Sequence, residues 1–242
     1  MQKLPHITLA FWIMKICATT LGETAGDLLS MTLHIGYALS SVLLISVFVV
    51  TLVAQLASKS FHPLLYWMVI LSTSTAGTTM SDYMDRTLAL GYPLGSSVLF
   101  AALVAVLALW RAVEGTVSIE HVRTRRAETF YWAAILVSNT LGTALGDFLA
   151  DSSGLGFAGG AMLVAGVIAL IAVAYYYTRI SRVFLFWAAF VLTRPLGATI
   201  GDLLTKTHDK GGLDFGTIGA SAVLAAVLLV LIVVTSLREK RL

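Results

Sequence analysis

Eight apolar stretches alternate with short polar stretches along the chain, and each is long enough to cross a bilayer, which takes about 20 residues. They lie near residues 9–28, 36–57, 64–83, 94–113, 130–149, 157–178, 184–203 and 214–236. Together they use nearly all of the 242 residues, so no soluble domain of useful size remains. The pattern predicts an all-α protein with eight transmembrane helices, folded as one integral membrane domain over residues 1–242.

The odd-numbered stretches share a motif, which appears as LGETAGD at 21–27, AGTTMSD at 76–82, LGTALGD at 141–147 and LGATIGD at 196–202. A tryptophan precedes the final aspartate of each copy by fifteen residues, at Trp12, Trp67, Trp132 and Trp187. This spacing predicts four two-helix repeats, near 9–57, 64–113, 130–178 and 184–236, arranged as two pseudo-symmetric halves offset by 120 residues. Because each repeat crosses twice, all four repeats are parallel. We expect the tryptophans to anchor the cytoplasmic interface.

Charge is sparse and unevenly distributed. Only 12% of residues are charged and the mean hydropathy is +0.88, whereas soluble domains carry about 25% charged residues. Of 16 Lys and Arg residues, 11 lie in the termini and in the loops 57–63, 111–129 and 179–183, whereas only Arg86, Lys206 and Lys210 lie in the opposite loops. The positive-inside rule therefore predicts that both termini are cytoplasmic. The basic pI is explained by topology, so the expected partner is the lipid bilayer, with no nucleic acid.

One face of each motif helix consists of small residues. The pairs are Gly22 with Gly26, Gly77 with Ser81, Gly142 with Gly146, and Gly197 with Gly201. Small residues four positions apart let helix backbones approach closely in a membrane. We therefore expect the odd-numbered helices to pack centrally through these faces, with the even-numbered helices more peripheral.

The other face of the motif helices is polar. Its carboxylates are Glu23, Asp27, Asp82, Asp147 and Asp202, and its hydroxyls include Thr20, Thr24, Thr79, Thr140 and Thr199. The aspartates fit either a hydrated outer interface or a buried site, because each lies 18 to 20 residues into its span. Ionisable residues inside a membrane usually mark a substrate or ion pathway. We predict that these residues bind ions or protons, with the five carboxylates as hypothetical metal ligands.

Two bases, Lys15 and Arg194, lie deeper than the aspartates. Either one could form a salt bridge with Glu23, which is unique to the first repeat. Five carboxylates then face two bases, and the imbalance requires protons, water or a metal ion.

Four tandem two-span repeats, each with a tryptophan, resemble a family of bacterial integral membrane proteins built in this way. The resemblance covers about residues 9 to 236 and concerns a repeat of unknown function. It implies a multi-pass protein of the bacterial inner membrane and supplies no activity.

Carboxylate and hydroxyl oxygens suit hard cations such as Mg²⁺, Ca²⁺ and Mn²⁺. The sequence predicts a secondary transporter for a small inorganic cation, of the divalent class, coupled to protons through intramembrane carboxylates. Three alternatives stay open: a cation channel with an outer aspartate ring, a small-anion carrier using Arg194 and Lys15, and a non-transporting sensor or scaffold. No catalytic constellation or cofactor motif is present, so we expect no enzyme and no cofactor beyond a bound divalent cation. Homo-oligomer formation is left open.

Overall fold

The structure, a computed structural model, describes residues 4–239. These residues form eight long helices and contain no β-strand. The helices are α1 (Leu9–Asp27), α2 (Tyr37–Ala57), α3 (Pro63–Asp82), α4 (Gly91–Glu114), α5 (Arg125–Asp147), α6 (Gly156–Tyr177), α7 (Arg182–Thr205) and α8 (Thr217–Glu239). The largest difference from the predicted bounds is at α5, which begins five residues early. Its start is fixed by Thr124, whose Oγ1 accepts a hydrogen bond from the Ala127 amide at 2.9 Å and so caps the helix.

Six of these helices are long and apolar enough to cross a membrane, namely α2, α4, α5, α6, α7 and α8. The chain therefore has the character of a multi-pass membrane protein. By the same measure α1 and α3 are too polar, although each has 19 or 20 residues. Their polar side chains are mostly buried inside the protein, so their low hydropathy reflects contact with other helices and not exposure to water.

The odd-numbered helices form a closed ring. Helix α1 contacts α3 and α7, and α5 contacts the same two helices from the opposite side. Each even-numbered helix packs outside the ring, with α2 on α3, α4 on α5, α6 on α7 and α8 on α1. Large apolar side chains on α2, α4, α6 and α8 are exposed on the outer surface. The ring thus forms the interior, and the even-numbered helices shield it.

The same glycine contact is built repeatedly around the ring. The first glycine of each motif lies against the residue three positions before the first motif glycine of the next helix. The second motif glycine, where there is one, lies against the residue one position after that glycine. The contacts are Gly22 with Ser74, Gly26 with Thr78, Gly77 with Asn139, Gly142 with Arg194, Gly146 with Ala198, Gly197 with Thr19, and Gly201 with Glu23. A β-carbon at any of these glycines would meet its neighbour at or inside the closest distance that real β-carbons show. The last two contacts close α7 onto α1.

Helix geometry changes directly after the motif aspartate. In the first three repeats the chain continues into a π-helical turn, at Leu28–Thr32, Tyr83–Thr87 and Phe148–Ser152, whereas α7 remains α-helical to Thr205. Such turns are rare and occur frequently at functional sites. A glycine in the left-handed region follows in every repeat, at Gly36, Gly91, Gly156 and Gly216, a conformation that costs glycine little because it has no β-carbon.

The prediction that the tryptophans anchor a membrane interface is wrong for three of the four. Trp67, Trp132 and Trp187 are buried. Together with Trp12 they pack on four other aromatic side chains at the N-terminal ends of the ring helices, namely Phe11, Tyr66, Tyr131 and Phe186. We call these eight aromatic side chains the aromatic plug. Within the plug the hydroxyls of Tyr66 and Tyr131 are 2.7 Å apart and share a hydrogen bond. Four aromatic pairs converge at one level of the ring, so they bury each other.

Candidate ion-binding site

Equivalent positions of the four repeats define layers along the ring. Residues four apart on a helix lie one above the other, so they belong to successive layers. One layer consists of Glu23, Thr78, Thr143 and Ala198, and the next consists of the four motif aspartates. One turn beyond the aspartates are Met31, Arg86, Asp151 and Lys206. One turn before Glu23 are Thr19, Ser74, Asn139 and Arg194. Charged and hydrogen-bonding side chains are therefore concentrated in four successive layers toward one end of the ring.

Arg194 joins the four ring helices. Its side chain is fully buried, and its Nη2 donates to Glu23 Oε2 at 2.7 Å. The same nitrogen donates to Thr78 Oγ1 at 2.5 Å and to Thr143 Oγ1 at 2.7 Å. These three acceptors occupy one layer on α1, α3 and α5, and the fourth member, Ala198, lies on the same helix as Arg194. A single guanidinium group thus links α7 to the other three helices.

Lys15 does not share this carboxylate. Its Nζ donates to Asn139 Oδ1 at 3.4 Å and lies 4.3 Å from the centre of the Phe190 ring. Within residues 4–239 no carboxylate oxygen lies within 4.0 Å of that nitrogen. Of the two bases expected to pair with Glu23, the structure therefore pairs only Arg194.

Arg86 bridges two aspartates from neighbouring helices. Its Nε lies 2.8 Å from Asp82 Oδ1, one turn back on the same chain segment. Its Nη2 donates to Asp147 Oδ2, on α5, at 3.2 Å. The arginine side chain is 34% exposed, whereas both carboxylates are almost completely buried. Arg86 therefore covers this pair of aspartates from the solvent side.

Lys206 repeats this arrangement in the second half of the chain, 120 residues after Arg86. Its Nζ lies 2.6 Å from Asp27 Oδ2 and 3.0 Å from Asp202 Oδ1. The lysine side chain is 21% exposed and the carboxylates are again buried. The two bridging bases are related by the same offset as the two halves of the sequence.

The four aspartates are thus buried inside the protein. Their hydrogen bonding is incomplete. The Arg86–Asp82 and Lys206–Asp202 contacts have ion-pair distances without hydrogen-bond geometry, and three buried oxygens lack a hydrogen-bond partner: Asp27 Oδ1, Asp82 Oδ1 and Asp202 Oδ1. Two of these oxygens still lie at ion-pair distance from Arg86 and Lys206. Asp27 Oδ1 is the one for which the described residues offer no partner, although buried polar atoms are nearly always satisfied.

The charge count predicted from the sequence needs correction. Lys15 and Arg194 were the expected bases, but Arg86 and Lys206, which sequence analysis treated as loop residues, contact the aspartates directly. Glu23 and the four aspartates, which we call the acidic cluster, thus contact three bases: Arg86, Arg194 and Lys206. Two formal negative charges remain in excess.

Three members of the acidic cluster are placed as metal ligands would be. Glu23, Asp147 and Asp202 each offer a carboxylate oxygen, and these oxygens lie within 4.8 Å of one another in a buried site. Mg²⁺ and Ca²⁺ bind oxygens at about 2.0–2.6 Å, so ligands on opposite sides of the ion are about 4–5 Å apart. The spacing fits a cation of this class. The other two predicted metal ligands, Asp27 and Asp82, lie in the aspartate layer with Asp147 and Asp202, and each of these four aspartates contacts Arg86 or Lys206.

The five predicted hydroxyl ligands do not reach the acidic cluster through hydrogen bonds. Each is buried and donates to a carbonyl of its own helix, at 2.9–3.3 Å: Thr20 to Ile16, Thr24 to Leu21, Thr79 to Ala76, Thr140 to Leu136, and Thr199 to Pro195. The hydroxyls that do contribute belong to Thr78 and Thr143, which sequence analysis missed as site residues. A signal was present, because both occupy the motif position that Glu23 has in the first repeat.

Comparison with known families identifies the repeat. One family model matches four consecutive stretches, residues 10–61, 65–116, 130–181 and 185–241. Each stretch covers most of one odd-numbered helix and of the even-numbered helix after it. No curated protein and no solved structure matches the chain. The resemblance inferred from the tryptophan spacing is confirmed, and the chain belongs to the family described as a Repeat of Unknown Function, DUF347.

Proposed function

We propose that the protein is a secondary carrier that exchanges a small divalent inorganic cation for protons across a bacterial inner membrane. The observation that carries the proposal is the charge balance of the acidic cluster, in which five buried carboxylates contact three bases. Uncompensated charge is costly in a low-dielectric interior. One divalent cation or two protons would neutralise the two excess charges, so the same site can hold either species in turn.

The ligand chemistry favours a hard cation. Glu23, Asp147 and Asp202 offer converging carboxylate oxygens, and no sulfur or imidazole ligand belongs to this group. Oxygen-only sites suit Mg²⁺, Ca²⁺ and Mn²⁺. A monovalent cation would leave one of the two excess negative charges, which is why we favour a divalent ion.

Arg86 and Lys206 are suited to control access from the outer side. Both are partly exposed and each holds two aspartates. An entering divalent cation carries twice the charge of either side chain and competes for the same oxygens. We propose that the two bases move aside to admit the ion and then contact the aspartates again, so that their charges still count in the occupied site.

The closed axis favours a carrier over a channel. Inward of the acidic cluster the ring is filled by the fully buried Arg194 and then by the aromatic plug. A channel needs a continuous path in its conducting state, whereas a carrier keeps at least one side closed. An anion carrier receives less support, because Arg194 already donates to Glu23 and to two threonines.

We further propose that all eight helices span the membrane, with both termini cytoplasmic and the acidic cluster toward the outside. Helices α1 and α3 are the two with low hydropathy, but they belong to the ring and are shielded by α8 and α2. Reporter fusions after residue 120 and at the C-terminus should both indicate the cytoplasm. An extracytoplasmic signal from either fusion would contradict this topology.

Uptake into proteoliposomes tests the carrier proposal. We expect an outward-directed proton gradient to raise Mn²⁺, Ca²⁺ or Mg²⁺ entry at least about tenfold over protein-free vesicles, with about two protons leaving per ion. Because this exchange is electroneutral, a potassium diffusion potential alone should not drive uptake. The control is Glu120→Gln, which changes an exposed carboxylate in the loop between α4 and α5 and should leave transport unchanged. Absence of ion-dependent proton movement for all three ions would favour the sensor or scaffold alternative.

A further inference from the structure

Lys15 is a fully buried amine outside the acidic cluster. It makes two contacts, both with uncharged groups: the Asn139 amide oxygen and the face of the Phe190 ring. The Asn139 side chain is held in this orientation because its Nδ2 donates to Thr73 Oγ1 at 2.9 Å. Both contacts stabilise an ammonium group, since an amide oxygen accepts its hydrogen bond and an aromatic face attracts a cation. Neither compensates for its full charge.

The three equivalent positions in the other repeats are apolar. They are Ile70, Ile135 and Phe190, and all three are fully buried, as Lys15 is. Packing at this level of the ring therefore does not require an amine. An ammonium group buried without a carboxylate is costly, so its presence in one repeat calls for a role other than packing.

We propose that Lys15 is a proton-binding site of the carrier, and that its amine holds one of the two protons exchanged for each divalent cation. This inference rests on the proposed function and assigns to Lys15 a proton that would otherwise belong to a second carboxylate. A proton needs no cavity, which agrees with the side chains that already fill the space around the Lys15 amine.

The groups facing Lys15 make its charge sensitive to the ion. From α7 it faces Arg194, which repels its positive charge, and from α3 and α5 the titratable groups one turn away are Tyr66 and Tyr131. Helix α8 contributes no titratable residue before its last turn. On α1 the relevant group is Glu23, two turns further along. When Glu23 binds a divalent cation, the carboxylate that offsets Arg194 is shared with the ion, and the local potential at Lys15 becomes more positive.

The charge balance then accounts for both protons. With Lys15 charged, five carboxylates face four bases, and one carboxylate proton completes neutrality. Binding of a divalent cation with loss of that proton leaves one positive charge in excess. Loss of a proton from Lys15 removes this charge: one N–H bond breaks, its electron pair stays on Nζ, and the proton passes to water on the side to which the site is then open.

Proton release on ion binding tests the proposal in the purified full-length protein. Mn²⁺, and in parallel Ca²⁺ and Mg²⁺, is added in weak buffer with a pH-sensitive dye, and bound ion is measured in the same sample. Wild type should release about two protons per ion at neutral pH, and Lys15→Arg, whose guanidinium keeps its proton, should release about one. Lys59→Met, at an exposed loop position, should behave like wild type.

If the Lys15→Arg variant does not fold, Lys15→Met still tests the proposal. Methionine resembles the apolar residues of the other repeats, and we expect a folded protein whose protons are all held by carboxylates. As the pH is raised, its proton release on ion binding should therefore disappear at least about one pH unit earlier than in wild type. A wild-type count in Lys15→Arg, or a wild-type pH profile in Lys15→Met, would overturn the role of Lys15 and leave the carrier intact. Absence of ion binding by wild type would instead remove the carrier proposal and this one with it.

Discussion

Replacing Arg194 with methionine should destabilise the protein by about 3–5 kcal/mol, the cost of removing one partner of a buried ion pair. Glu23 would keep its charge in the interior, and Thr78 and Thr143 would lose the donor that joins them to α7. Thermal unfolding in detergent measures the effect as a large fall in the midpoint, or as loss of folded protein during purification. Arg179→Met, at an exposed position outside the ring, is the matched control and should melt like wild type.

The double variant separates charge from packing. Glu23→Gln combined with Arg194→Met removes both charges, and we expect it to recover at least half of the lost stability. It should still bind no divalent cation, because Glu23 is one of the three converging carboxylates. Recovery of ion binding together with stability would mean that the pair is structural only, and the ion site would then have to lie elsewhere.

Asparagine at Asp147 or at Asp202 should abolish most ion binding while the fold persists. Each substitution removes one charged ligand oxygen, and loss of a direct ligand should weaken affinity at least about 100-fold, since even outer-shell changes cost 10–100-fold. Isothermal titration with Mn²⁺, Ca²⁺ and Mg²⁺ measures the change. Stability should fall less than in the arginine variant, because Arg86 keeps Asp82 and Lys206 keeps Asp27 as partners.

Asp85→Asn is the control for the effect of burial. Asp85 is also a buried carboxylate, but it accepts from Ser81 and lies against Gly95, outside the acidic cluster. We expect its affinity for each ion to stay within about threefold of wild type. Equal losses in Asp85→Asn and Asp147→Asn would point to a general effect of buried charge and would argue against a specific ion site.

The sequence was sufficient for the helices and for the family because both depend on local periodicity. Apolar stretches set the helix bounds to within five residues, and fixed offsets from each tryptophan identified the repeat. The small faces of the motif helices also carried enough information to suggest which helices meet. The tryptophans were misjudged because their burial depends on four helices converging at one level, which no single repeat reveals.

The partners of the carboxylates could not be predicted from local patterns. Arg86 and Lys206 follow their aspartates by four residues, the spacing of an ion pair on one helix, but in a membrane protein their position near a loop suggested topology alone. Their second contacts, to Asp147 and Asp27, depend on which helix follows which around the ring. In the same way, Glu23 pairs with Arg194 and not with Lys15 because α7 packs beside α1, which no local pattern in the sequence shows.

Ring closure between α7 and α1 sets an order of events during synthesis. Glu23 precedes its partner Arg194 by 171 residues, and Asp27 precedes Lys206 by 179. At about 5–20 residues per second, the ribosome needs about 9–34 s to add the first of these intervals. Throughout that time α1 holds carboxylates whose partners have not been translated, and α8, which packs on α1, is translated after all seven of the other helices. Of these eight helices, α1 is therefore made first and covered last, and we expect its carboxylates to stay unpaired during that interval.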